Sequence, residues 1–180
     1  PAAHLPGVVG VGTDLVQHDR EGYRIAPGGA VAYDVRAFEQ ALARAARQPE
    51  GSEEWQASLA DATALYTGPF AEGIESEWVE PIRERLEARY LEAQLALARH
   101  ALSTEDFTGA IERAEAVLAT DPVNEEAVRY LIAAHVGNEH PDLAARAYRR
   151  LQEMMTRDLD VQPSAATRAA LERAFAGSRT

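Results

Sequence analysis

Arg146, Arg149 and Arg150 fall at i, i+3 and i+4, so a helix would carry all three guanidinium groups on one face. Guanidinium forks suit carboxylate or phosphate partners, which makes this triplet a candidate partner-binding surface. The plainer alternative is pairing with acids of neighbouring helices. His135 and His140 flank Glu139 and Asp142 around a helix end. A metal would need three or four of these ligands to converge, and the Pro141 turn among them favours a solvated loop. The acidic sets Glu72, Glu75, Glu77, Glu80 and Glu125, Glu126 hold groups able to transfer protons. Carboxylates gather at helix N-termini on electrostatic grounds alone, however, so capping explains them more simply. Cysteine is absent, and no serine sits in a Gly-x-Ser-x-Gly setting. A lysine-bearing phosphate loop is impossible because all 18 basic residues are arginine. Val9-Gly10-Val11-Gly12 has no helix after it and reads as a flexible leader. No catalytic residue, metal or cofactor is assigned on these grounds, and the chain is expected not to be an enzyme.

The elements that would position the arginines are helical and repeated. From Ala88 to Asp121 the sequence writes two amphipathic helices. Tyr90, Ala93, Leu97 and Ala101 share one face, and Phe107, Ala110, Ile111, Ala114, Val117 and Leu118 form the second stripe. Ser103-Thr104-Glu105-Asp106 between them is a polar, capping turn, and Asp121-Pro122 stops the second helix. Adding 34 takes Leu97 to Leu131, Ala98 to Ile132, Ala110 to Ala144, Ala114 to Tyr148 and Val117 to Leu151. That offset is the period of the tetratricopeptide repeat, a helical hairpin that stacks on copies of itself.

The flanks fit a stack of about seven helices. Asp34 opens a helix with Val35, Phe38, Leu42 and Ala45 inward, out to Arg47. Ser52 caps a second one with Trp55, Leu59, Ala62 and Tyr66 buried. Gly68–Gly73 is a compact loop whose Phe70 is expected to plug the core, and a long helix starting near Pro81 runs on into the repeat. Asp142 is expected to cap the helix that carries the arginines, ending near Thr156, with Asp158–Pro163 as an extended crossing. Ser164 caps a last helix, Ala165 to Ala176, able to cover the end of the stack. Before all this, Leu15–His18 and Tyr23–Ile25 read as two short strands joined by Asp19-Arg20-Glu21-Gly22. The fold class expected is all-α, a right-handed tetratricopeptide-like stack preceded by a short β-hairpin.

A formal charge of −11 argues against this chain gripping DNA unaided, since phosphate binding needs a positive surface. No stretch approaches the roughly 18 apolar residues of a membrane helix, and no signal-peptide pattern is visible. A cytoplasmic location is compatible with the missing cysteines. The chain opens at Pro1 and not at a methionine, and is expected to be a piece of a longer protein.

Six short motifs follow one another along the chain: Gly22–Ile25, Tyr33–Glu39, Ala64–Phe70, Trp78–Leu86, Ala147–Leu151 and Asp158–Ser164. Together they resemble the bacterial transcriptional activator domain of SARP-type regulators, from about Asp34 to Phe175. The resemblance implies a domain over 34–176 that follows an OmpR-type winged helix, with residues 1–30 as the tail hairpin of that winged helix or a leader. Gln17, His18 and Arg20 would then lie at a wing tip that touches DNA, Arg20 on a phosphate. Implied partners are DNA through the winged-helix domain mostly missing here, RNA polymerase or a sigma factor, and a second copy in a homodimer, with no membrane. The implied work is dimerisation, polymerase contact or signal coupling. The rival reading is a stand-alone sensor of a small effector, held between the first helices and the repeats in a pocket lined by Trp55, Tyr66, Phe70 and Trp78. One departure stands out: the family's Leu-Gly-Val-x-Pro is Leu159-Asp160-Val161-Gln162-Pro163 here. Asp tolerates left-handed geometry moderately well, so this turn is expected to survive the change.

Overall fold

The computed structural model describes residues 34–177, together with the backbone of 16–19 and 22–25. In chain order the elements are β1 (Val16–Asp19), β2 (Gly22–Ile25), α1 (Asp34–Ala45), α2 (Glu53–Leu65) and α3 (Glu80–Ser103). They continue with α4 (Phe107–Thr120), α5 (Glu125–Gly137), α6 (Pro141–Leu159) and α7 (Ala165–Gly177). The all-α class and the number of helices agree with the sequence. The chain divides into two compact units, residues 1–84 and 85–180, with α3 crossing the division.

In the first unit, β1 and β2 pair antiparallel from Val16 opposite Ile25 to Asp19 opposite Gly22. Asp19 and Gly22 are therefore a paired rung and not part of the loop expected at 19–22. Helices α1 and α2 pack against each other by burying Phe38, Leu42 and Ala45 on one side and Trp55, Leu59 and Ala62 on the other. Helix α1 ends at Ala45, short of Arg47, and Arg47 lies in the following turn. Ser52 caps α2 by accepting the Trp55 N–H at 3.2 Å. The Tyr66 ring at the end of α2 rests 6.2 Å from that of Phe38. Phe70 is only half-buried and is not among the buried core residues, so it does not plug the core as expected. The loop after α2 is held from below by one side chain. Arg83 donates from Nε to the Phe70 carbonyl at 3.1 Å and from Nη2 to the Ala71 carbonyl at 3.2 Å. A planar donor fork satisfies carbonyls that a loop would otherwise leave to water, which gives the Trp-x-x-Pro-x-Arg motif its structural sense.

The second unit contains the repeat. Asp106 caps α4 through the Gly109 N–H at 2.9 Å, and Asn124 caps α5 through the Ala127 N–H at 3.0 Å. Of the five pairs one period apart, Leu97 and Leu131, Ala98 and Ile132, Ala110 and Ala144, and Val117 and Leu151 are buried at both positions, while Tyr148, the counterpart of buried Ala114, is half-buried. The turns match too. Glu105, after α3, and Glu139, after α5, are 34 residues apart and both adopt left-handed backbone, with φ of 58° and 61°. A hairpin that closes each helix with the same costly conformation twice is one structural unit written twice. Small residues set the spacing: Ala101, Ala110 and Ala134 from α3, α4 and α5 form one buried cluster with Leu102, Phe107 and Ile111 around it. Gly137 at the end of α5 lies against the Phe107 ring so closely that any Cβ there would overlap it.

Helix α6 departs from expectation at both ends. Asp142 is not its cap; the helix starts at Pro141, whose missing N–H is harmless in a first turn, after His140, which makes no side-chain capping bond. It also runs three residues beyond Thr156, to Leu159, anchored by buried Leu151 and Met155. It stops because Asp160 turns left-handed at φ 54°, ψ 36°, with its N–H returned to the Met155 carbonyl. This is the position where the family pattern has glycine, and aspartate adopts the glycine-like geometry. The crossing to α7 is correspondingly shorter than expected. Helix α7 lies against α5 and α6 and covers the end of the stack. Its start is bolted to α5: the Ser164 N–H and hydroxyl both donate to Glu125, at 2.8 and 2.6 Å, while Arg129 donates to Thr167 at 3.2 Å. Burial pushes the Glu125 carboxyl up, but the bonds from Ser164 and Thr167 and the nearby Arg129 outweigh it and leave the pKa below its ordinary value.

Candidate functional site

The second unit holds an open groove of about 470 Å³ walled by α4, α5 and α6. Its apolar lining includes Leu118, Val128, Leu131, Leu143, Leu151 and Met154. These come from the inward stripes of three helices, and the small alanine crossings bring the helices near enough for one surface to form. Arg146 and Arg150, one helical turn apart, stand on its α6 side. Glu115 from α4 and His135 from α5 complete the polar part of the lining.

Of the three arginines singled out in the sequence, the structure therefore brings two to a common concavity. Arg149 is exposed and does not line the groove. Among the described residues none of the three makes an ion pair or hydrogen bond, so the acid pairing considered from the sequence is not formed. Exposed arginines elsewhere do pair, as Arg44 does with Asp61 at 3.1 Å and Arg157 with Asp158 at 2.6 Å. His135 is one of the candidate ligands in the sequence, whereas no sequence pattern points to Glu115. The repeat register carries a signal for the first: Ala101, moved by one period, becomes His135, so a polar ring occupies a small-residue position. Gln17 and His18 fall in β1, with side chains outside the described residues, and Arg20 lies outside them entirely. Among the described residues no group of three or more His, Cys, Asp or Glu is placed to hold a metal ion, and no helix is long and apolar enough to cross a membrane. Of the aromatics assigned to an effector pocket, Trp55 is a core residue while Trp78 is 61% exposed.

His135 is half-buried, and its Nδ1 is shut off from solvent with no hydrogen-bond partner among the described residues. Burial lowers its pKa, His140 lowers it further, and Glu115 and Asp142 oppose the shift without reversing it. Folding therefore favours the neutral ring. Below the ordinary histidine value of about 6.5 the unfolded chain takes up a proton that the folded chain resists, so stability present above that pH drains away as pH falls. Urea midpoints compared at about pH 7 and about pH 5.5 are expected to fall further for the parent than for His135→Gln, which has no ring to titrate. Equal falls would mean that His135 is protonated as readily in the folded chain as in the unfolded one.

The structure of Mycobacterium tuberculosis EmbR in complex with a low-affinity phosphopeptide superposes with a TM-score of 0.65 at 24% identity, covering 91% of this chain and 44% of that one. The C-terminal TPR-containing domain of a Plasmodium falciparum FK506-binding protein superposes at 0.55 with 18% identity, covering 82% of this chain and 94% of that one. At these identities the likeness is one of fold, and it is the tetratricopeptide-like fold that the 34-residue register implies. The chain spans less than half the length of the EmbR chain. No curated protein sequence matches it. Residues 33–174 match the family model of the bacterial transcriptional activator domain, and with most of its length inside that match the chain belongs to this family.

Proposed function

We propose that this chain is the protein-interaction and coupling domain of a SARP-type transcription activator, whose winged-helix domain binds DNA. It acts without catalysis, by holding a protein partner on the repeat face that carries Arg146, Arg149 and Arg150. The partner is RNA polymerase or a sigma factor, and a second copy of the chain is a further candidate. The observation that carries this reading is the pair of uncommitted arginines on an apolar groove, in a member of a transcriptional activator family. The net charge of −11 supports leaving DNA contact to the winged helix, with Gln17, His18 and Arg20 as its wing tip. The location that follows is the cytoplasm.

The test is a tethering assay. The 180-residue chain is fused to an unrelated sequence-specific DNA-binding protein whose site lies upstream of a weak promoter. Reporter output above that of the DNA-binding protein alone is expected. Output equal to it, with the fusion folded and bound to its site, would overturn the polymerase-contact reading.

A further inference from the structure

We propose that the α4–α5–α6 groove receives an acidic amphipathic helix of a partner protein, with two carboxylates one turn apart held by Arg146 and Arg150 and apolar side chains seated between them and Glu115. The inference rests on the protein-interaction reading above and narrows it to one surface and one partner chemistry.

Three observations converge on it. The groove floor is apolar and already formed, so it takes leucine- or phenylalanine-like side chains without rearrangement. Its charge runs against that of the chain: Arg146 and Arg150 contribute +2 and Glu115 −1, and His135 is held neutral near pH 7, leaving about +1 on a molecule of −11. Both arginines lack any partner among the described residues, although the chain has 29 acids to offer. Spacing then selects the ligand. Four residues of α6 place the two arginines about 6 Å apart along the axis, the spacing of acids at i and i+4 on a second helix. Glu115 on the far side disfavours a ligand acidic all round, so the partner must be acidic on one flank only. Nucleic acid, negative along its whole length, fits this lining poorly.

The probe is a displayed library of helical peptides with randomised surface positions, selected on the immobilised 180-residue chain at low salt. Enriched peptides are expected to carry Asp or Glu three or four residues apart beside a large apolar residue. Against Arg146→Ala/Arg150→Ala, their Kd is expected to rise at least about tenfold, and raising salt is expected to weaken the parent's binding. Arg173→Ala, exposed on α7 and outside the groove, is expected to bind as the parent does. The exposed alanine changes preserve helix propensity, and circular dichroism verifies that each variant is folded. Selection of neutral or basic peptides, of none, or of acidic peptides indifferent to the double change would overturn the proposal. So would competition by single-stranded or duplex DNA, or self-association of the chain abolished by the same double change. Reporter activation in the tethering assay alongside a failed selection would discard the groove alone; loss of activation discards the wider reading.

Discussion

Ala110→Trp is expected to unfold or loosen the repeat. Ala110 is 0% exposed and meets Ala101 and Ala134 where α3, α4 and α5 come together. Helix axes pack at about 8–10 Å only where the side chains at the crossing allow it, and three alanines mark an approach at the near end of that range. An indole there must either push the helices apart or drive Phe107 and Ile111 off their rotamers. Overpacking of this kind costs about 1–3 kcal/mol or more, out of a total stability of roughly 5–15 kcal/mol. For a chain of this size each kcal/mol lowers Tm by roughly 2–4 °C, so melting followed by circular dichroism resolves the effect. Glu112→Trp, two positions along the same helix and exposed, supplies the comparison: it adds the same ring without the crowding and is expected to melt close to the parent. If both variants melted together near the parent, the close crossing would not exist.

Part of that crossing was legible, because Ala110 falls on Ala144 at the 34-residue period and both are buried, whereas Ala134 belongs to the crossing only through packing. The same register identified Leu97 with Leu131 and Val117 with Leu151, and all four are buried. What the sequence hid were features decided by chain conformation or by distant neighbours. Asp142 looked like a cap because aspartate often is one, but Pro141 fixes helical φ one residue earlier and takes over the first turn. The left-handed turn at Asp160 was legible from the family's glycine position, but the helix end was not: Asp158 read as the start of an extended crossing, whereas α6 continues through it to Leu159. The groove lay further out of sight. Glu115, His135 and Arg150 come from three helices and belong together only once α4, α5 and α6 have packed, so no local pattern joins them. The arginine triplet could be seen as a face, yet which of its members meets the groove depends on how α6 is rotated against α5.

Leu151→Ala is expected to be the most damaging truncation in the second unit, because Leu151 stands where that rotation is fixed. It is 0% exposed and packs with Val128 and Ile132 of α5 and Met155 of α6, while Leu171 and Ala174 of α7 lie against the same cluster. Removing the isobutyl group loses the transfer energy of its methyl and methylene groups and leaves a cavity that three helices cannot all close, a change worth about 2–5 kcal/mol. Urea unfolding is expected to show a lower midpoint with an unchanged slope, the sign of lost stability without a change in the surface exposed. Leu159→Ala in the same helix is the matched control, since that side chain is 53% exposed and its loss is expected to cost within about 0.5 kcal/mol. Chemistry is identical in the two variants, so the difference between them measures burial alone. Equal midpoints would mean that α6 does not present Leu151 to the core, and the same rotation that removed it would carry Arg146 and Arg150 away from the groove. A large loss at Leu151 with little at Leu159 fixes both at once.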